Sequence, residues 1–256
     1  MSGAYDDLAD RVVLVTGSSR GIGARIAAAF AGAGSRVVLH GRDEAALAAV
    51  REQIEAAGGH CLVVTGDVTR AADLERMRQR ITAEYGPVDV LVANAGSTGS
   101  RPTPIEEITE TDWRSDLDRN LTGTFLTVKC FLPEMKQRGS GNIITMSSAA
   151  GRRASAYTLV AYGAAKAGVQ IFTQDLAAQA GPAGIRANCL APETILTEGN
   201  EAWITPDQRE QLVRTHPVRR LGTPDDVARA ALFLASDASG WISGVVLDIA
   251  GGAVLV

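Results

Sequence analysis

Tyr162 and Lys166 open and close the run Tyr162-Gly163-Ala164-Ala165-Lys166. Residues spaced i and i+4 share one face of a helix, so this spacing can bring an ammonium close to a phenol. A free tyrosine has a pKa of about 10, too high for efficient proton exchange near neutrality, and a neighbouring cation lowers it by favouring the phenolate. The pair therefore predicts acid–base chemistry with Tyr162 as the acid. Upstream lie Ser147-Ser148-Ala149-Ala150-Gly151 and Arg119-Asn120-Leu121-Thr122-Gly123, which supply further polar groups.

A second constellation stands near the N-terminus. Thr16-Gly17-Ser18-Ser19-Arg20-Gly21-Ile22-Gly23 follows an apolar run and opens a helical segment through Ala24–Ala33. Glycines let a pyrophosphate approach the backbone, and a helix N-terminus offers free N–H donors to the anion.

These residues need elements to position them. Short β-branched runs recur at Val12–Val15, Val37–His40, Cys61–Thr65, Val90–Ala93, Ile143–Met146, Arg186–Leu190 and Val245–Ile249. Segments of helical period separate them. Leu47, Val50 and Ile54 share one face, with Asp43 as N-cap and Gly58 beyond the end; Leu74, Met77 and Ile81 repeat the pattern up to Gly86-Pro87. Thr223-Pro224-Asp225-Asp226 carries a capping hydroxyl, a first-turn proline and two acids at the positive end of the helix dipole. Sustained strand–helix alternation predicts an α/β fold: one doubly wound, Rossmann-type domain over residues 1–256 with a seven-stranded parallel sheet. In such sheets the ligand sits beyond the carboxyl ends of the strands, where strand order reverses.

The glycine loop reads TGxxxGxG, and the chain in this respect resembles the short-chain dehydrogenase/reductase family. The resemblance extends over nearly the whole sequence and implies an oxidoreductase that interconverts a ketone and a secondary alcohol, 3-oxoacyl reductase-like. Residues Gly17, Ser19, Arg20, Gly21, Ile22 and Gly23 would hold the cofactor. Asp67 and the amide of Val68 would hold adenine, and Ala93-Asn94-Ala95-Gly96 matches the family's NNAG element. Ser148 would bond the substrate oxygen, Tyr162 would donate the proton, Lys166 would lower the phenol pKa and hold the nicotinamide ribose, and Asn120 would anchor a proton relay. The interval from Ser148 to Tyr162 is one residue longer than the family's, which implies a bulge there and leaves Ser147 as the alternative serine. Pro192, Ile195 and Thr197 would contact the nicotinamide. Glu193 replaces a family glycine, and an ordinary negative φ is expected there, with the side chain facing the pocket mouth and Arg152 or Arg153 beside it.

Cofactor choice is read at the end of the second strand. Gly41 stands where NAD-type members carry Asp, and Arg42 follows it. With Arg20 nearby, two guanidinium groups and no carboxylate suit a 2′-phosphate, so NADP(H) is expected. The substrate is a small carbonyl or alcohol, with walls expected at residues 97–104, 149–157 and 196–219. Residues 196–219 are expected to form a mobile lid with His216-Pro217 as hinge. The segments 111–138 and 159–180 resemble the helices through which the family forms tetramers, so a homotetramer is expected. An NAD-linked alcohol or sugar dehydrogenase and a non-catalytic cofactor-binding sensor are the alternatives.

Composition narrows the field. A net charge of −4 without a basic stripe argues against nucleic acid. Scattered Cys61, Cys130 and Cys189 form no CxxC pair, and the three histidines lack metal-ligand spacing, so no metal is expected. The acidic N-terminal stretch and the lack of a long apolar run predict a cytoplasmic protein without a membrane segment.

Overall fold

The β-branched runs form strands β1 (Val12–Val15), β2 (Arg36–Gly41), β3 (His60–Thr65), β4 (Val90–Ala93), β5 (Gly141–Met146), β6 (Ile185–Pro192) and β7 (Val246–Ile249). Between and after them lie α1 (Gly21–Gly32), α2 (Glu44–Ala56), α3 (Ala71–Glu84), α4 (Glu110–Leu117), α5 (Gly123–Arg138), α6 (Val160–Ala180), α7 (Glu198–Glu201), α8 (Pro206–Thr215) and α9 (Pro224–Ala235). The structure is a computed structural model that describes residues 5–97, 102–154, 159–201 and 204–255. Two strands have the expected bounds; the others shift by one or two residues, which is where strand ends are least fixed by pattern.

The strands pair in the order β3-β2-β1-β4-β5-β6-β7, all parallel. Successive residues of each strand face opposite sides, so the sheet feeds two cores. Val13, Val15, Val37 and Ile144 pack with Ile26 and Phe30 of α1, Leu47 of α2 and Leu234 of α9. Val12, Leu14, Leu91 and Ile143 pack on the other side with Met77 of α3, Phe131 of α5 and Leu176 of α6. Strands buried on both faces explain the near-continuous apolar runs. The result is the single α/β domain of Rossmann type that the alternation predicted.

Helix ends follow the local chemistry. Asp43 Oδ1 accepts the Ala46 amide at 3.1 Å, and Gly58 takes φ +84° beyond α2. The Asp226 carboxylate accepts from both the amide and the hydroxyl of Thr223, which fixes the start of α9. One feature departs from expectation. The segment 111–138 is not one regular helix, because a π turn at Asp118–Thr122 separates α4 from α5. Its cause is steric and polar together. A Cβ on Gly123 would come within 2.9 Å of Val68, and Thr124 Oγ1 donates to the Asn120 carbonyl at 2.9 Å. Such turns recur at functional sites, and this one carries Asn120. No helix among the described residues is long and apolar enough to cross a membrane.

Candidate active site

Strand β1 lies between β2 and β4, so the connections leaving β1 and β4 diverge and open a crevice at the carboxyl edge of the sheet. Two clefts of about 410 and 430 Å³ meet there and share Gly17, Arg20, Gly96 and Ser97. Every predicted site residue except Asn120 lines one or the other. Asn120 lies one layer behind, against Gly96.

The glycine loop joins the two clefts. Gly17 has φ +67°, and a Cβ there would lie 2.8 Å from Ala95 Cα. A Cβ on Gly23 would lie 2.3 Å from the Gly17 carbonyl, so both positions demand glycine. Asn94 Nδ2 donates to the carbonyls of Thr16 and Gly17 at 2.9 and 3.1 Å, and Thr16 Oγ1 accepts the Ala95 amide at 3.0 Å. Helix α1 has no side-chain cap, which leaves its first-turn amides facing the cleft. That cradle fits a pyrophosphate.

One cleft extends from the loop past Ser19, Gly41, Arg42, Asp67, Val68 and Ala95. His40, which sequence reasoning left without a role, ties its floor together. Its Nδ1 accepts the Gly17 amide at 3.3 Å, and its Nε2 donates to the Gly66 carbonyl at 3.1 Å in the tautomer those partners require. Burial holds the imidazole pKa at about 4, so the ring is neutral at pH 7. The signal available beforehand was a polar residue at the end of an otherwise apolar strand. Asp67 Oδ1 accepts from both the amide and the hydroxyl of Thr69, at 2.9 and 2.8 Å, and the amide bond is the main reason its pKa falls.

The expectation that no carboxylate stands beside the two guanidinium groups needs correction. Arg20 donates to Asp43 Oδ2 at 2.9 Å. The N-cap position that starts α2 puts this acid on the wall of the same cleft. Arg20 is therefore a paired cation, whereas Arg42 forms no ion pair among the described residues.

The other cleft extends past Ser148, Tyr162 and Lys166 to Pro192, Ile195 and Thr197. Ser147 is committed to the fold: its hydroxyl donates to the Lys166 carbonyl at 2.8 Å and accepts from Gln170 at 2.9 Å. Ser148 caps a short 3-10 turn and is hydrogen-bonded to Tyr162, which favours it over Ser147. The bulge expected between Ser148 and Tyr162 falls partly on residues 155–158, outside the described residues.

Lys166 is 3% exposed and its Nζ donates to the Met146 carbonyl at 2.8 Å. That ammonium lies 5.5 Å from the centre of the Tyr162 ring. Burial lowers the Lys166 pKa to about 8. It raises the Tyr162 pKa above its ordinary value, against the opposing hydrogen bond with Ser148. The net shift of the phenol in the protein alone is thus upward, opposite to the expected lowering, because removing a phenolate from water outweighs the Ser148 hydrogen bond.

Asn120 Nδ2 donates to the carbonyls of Ser97 and Asp116 at 2.9 and 3.0 Å. Its Oδ1 is buried and accepts no hydrogen bond. A Cβ on Gly96 would lie 2.6 Å from that oxygen and 3.3 Å from Lys166 Nζ, so the glycine leaves a polar space between them.

Glu193, between the cleft-lining Pro192 and Thr194, is outside the left-handed region, as expected; Thr194 takes φ +38° instead. Arg153 stands 3.8 Å from the Glu193 carboxylate, while Arg152 is turned away into a two-bond pair with Asp248 at 2.9 and 3.0 Å. In the expected lid, α8 buries no residue. The expected hinge differs in character. His216 is 1% exposed and its Nδ1 donates to the Leu212 carbonyl at 2.7 Å, while Pro217 sits against Gly252. His216 is thus packed against its neighbours rather than exposed.

The profile described as enoyl-(acyl carrier protein) reductase matches residues 17–254. A 7alpha-hydroxysteroid dehydrogenase of Escherichia coli (strain K12) is 34% identical over 244 residues, covering 95% of this chain and 94% of that protein. The solved 7 alpha-hydroxysteroid dehydrogenase complexed with NADH and 7-oxo glycochenodeoxycholic acid superposes with a TM-score of 0.90 at 33% identity, over 96% of each chain. A gluconate 5-dehydrogenase from Burkholderia cenocepacia, in complex with NADP and tartrate, superposes with a TM-score of 0.90 at 32% identity, over 98% of each chain. With the glycine cradle at the sheet's switch point and this end-to-end likeness, the chain belongs to the short-chain dehydrogenase/reductase family.

Proposed function

We propose that the protein is an NADP(H)-dependent ketoreductase in which Tyr162 is the acid. The observation that carries this reading is the contact set around Tyr162: Ser148 is hydrogen-bonded to it and Lys166 lies over its ring, on one wall of the cleft. The first turn of α1 would hold the cofactor's pyrophosphate and Pro192, Ile195 and Thr197 its nicotinamide, and when bound it would supply the hydride. Ser148 holds the carbonyl oxygen of the substrate and stabilises its developing charge. Tyr162 donates its proton to that oxygen, a contribution of typically ~10²–10⁴-fold. A raised phenol pKa keeps the proton in place until it is needed. Lys166 and the free Oδ1 of Asn120 border one polar space behind the ring, which fits the proton relay that recharges Tyr162.

NADP(H) is preferred because Arg42 and Arg20 border the adenosine-side cleft while Gly41 offers no acid. A charge-assisted hydrogen bond to a 2′-phosphate is worth roughly 1.5–3 kcal/mol, enough for a selectivity of tenfold or more. The second reading, an NAD-linked dehydrogenase, is favoured by one observation: Asp43 neutralises Arg20 at 2.9 Å. Oxidation of NADPH and of NADH, each with a panel of steroid ketones, sugar-derived ketones and 3-oxoacyl thioesters, tests both. Comparable efficiency with NADH would favour the second reading, and no turnover with any ketone would leave a cofactor-binding sensor. We also infer a homotetramer in a cytoplasmic setting. Exposed Phe125 and Ile171 on α5 and α6 support the assembly, since large apolar side chains left in water are suited to burial by self-association.

A further inference from the structure

Arg119 precedes Asn120 in the π turn and lines the adenosine-side cleft. It is exposed, and its guanidinium makes no ion pair among the described residues. The two uncommitted arginines of this cleft occupy different places. Arg42 lies close enough to His40 and Asp67 for its charge to act on both, whereas Arg119 acts on neither. Arg42 thus belongs to the end of β2, where the ribose would sit. Arg119 belongs to the turn that packs on Val68, since a Cβ at Gly123 would come within 2.9 Å of that side chain. Asp67 Oδ1 takes both Thr69 bonds, and Asp67 forms no ion pair with Arg119.

We propose that Arg119 covers one face of the cofactor's adenine, its flat guanidinium stacked on the ring, and so determines affinity for adenine and not for the 2′-phosphate. The inference rests on the reading that the cleft takes a nicotinamide dinucleotide. Guanidinium groups stack on aromatic faces better than ammonium groups do, because they are planar and more weakly hydrated. An arginine held by a helix turn against the wall of an adenosine cleft is placed for that contact.

The test measures dissociation constants by calorimetry for NADPH, NADH, ADP-ribose and reduced nicotinamide mononucleotide. It compares the wild type with Arg119→Ser and Arg119→Lys, after circular dichroism shows the variants folded. Arg119→Ser is expected to weaken NADPH, NADH and ADP-ribose by one common factor of roughly fivefold to tenfold, and to leave the mononucleotide unchanged. Arg119→Lys, which keeps the charge and loses the flat face, should fall between. A loss confined to NADPH would assign Arg119 to the 2′-phosphate and overturn the proposal. Unchanged binding by Arg119→Ser, or full affinity in Arg119→Lys, would overturn it as well. Wild-type protein that binds neither dinucleotide would overturn the cofactor reading itself, a result distinct from the variant outcomes.

Discussion

The neutral ring of His40 on β2 holds the Gly17 amide at 3.3 Å, so a buried imidazole fixes the first turn of the glycine loop. Its pKa of about 4, against an ordinary 6.5, gives that contact a pH signature. Between these values the unfolded chain binds a proton that the folded chain excludes. Stability from this group is therefore complete above pH 6.5 and falls as pH drops towards 4, by roughly 3 kcal/mol in all. Urea unfolding of wild type and His40→Gln across pH 4–7 would show it. The stability gap between the two should narrow towards pH 4, and a constant gap would mean the imidazole is not held neutral.

Tyr162→Phe keeps the ring and removes the proton. Turnover is expected to fall by roughly 10³-fold while NADPH affinity changes little. Single-turnover kinetics with saturating NADPH measures the first and fluorescence titration the second. Near-normal turnover would move the acid elsewhere.

Gly96 tests the space behind that ring. Gly96→Ala places a methyl 2.6 Å from Asn120 Oδ1 and 3.3 Å from Lys166 Nζ, so one or both groups must shift. Turnover is expected to drop by about 10²-fold, the cost of displacing catalytic groups by an ångström, with the melting temperature lowered only modestly. A fully active variant would show that the polar space plays no part.

Cofactor choice is expected to depend on Asp43 as well as on Gly41, Arg42 and Arg20. Gly41→Asp combined with Arg42→Ala should lower the NADPH/NADH efficiency ratio by more than about tenfold, since it removes a cation and adds an anion. Asp43→Asn should raise that ratio by freeing Arg20 from its 2.9 Å pair, at a small cost because asparagine also caps α2. Ratios unmoved in both variants would refute the assignment of this cleft to a 2′-phosphate.

Much of this was legible beforehand because it is periodic or local. Near-continuous β-branched runs wrote the strands, and the glycine spacing wrote the cradle, since Gly17 and Gly23 are each forced by backbone within 3 Å. What escaped depends on through-space partners. The Arg20–Asp43 pair joins residues on different loops, and His40 reads as one more strand residue until Gly17 and Gly66 are seen around it. The π turn at Asp118–Thr122 has no sequence period of its own and exists because Gly123 must fit against Val68. The reversed shift on Tyr162 was likewise invisible, because spacing shows that Lys166 is near and not how much water both have lost.

Glu193 offers the last test, at the position where a family glycine is replaced. Its carboxylate is 3.8 Å from Arg153 and accepts the Thr194 hydroxyl at 3.1 Å. Arg153 in turn donates to the Ala253 carbonyl at 2.8 Å, so the pair bridges the loop after β6 to the C-terminal segment. Arg152 cannot substitute, because Asp248 holds it. Glu193 is hydrogen-bonded to Thr194, which lines the cleft, and its carboxylate offsets the charge of Arg153 beside it. Removing it by Glu193→Gly leaves Arg153 as an uncompensated cation there. Efficiency for ketones bearing a carboxylate should then rise by roughly threefold to tenfold relative to matched neutral ketones, and the gain should shrink with added salt as screening shortens the interaction to about 10 Å at 0.1 M. The double variant with Arg153→Ala should lose the gain. An acid-to-neutral ratio that stays at the wild-type value at low ionic strength would show that Glu193 is a solvated surface charge with no say in substrate choice.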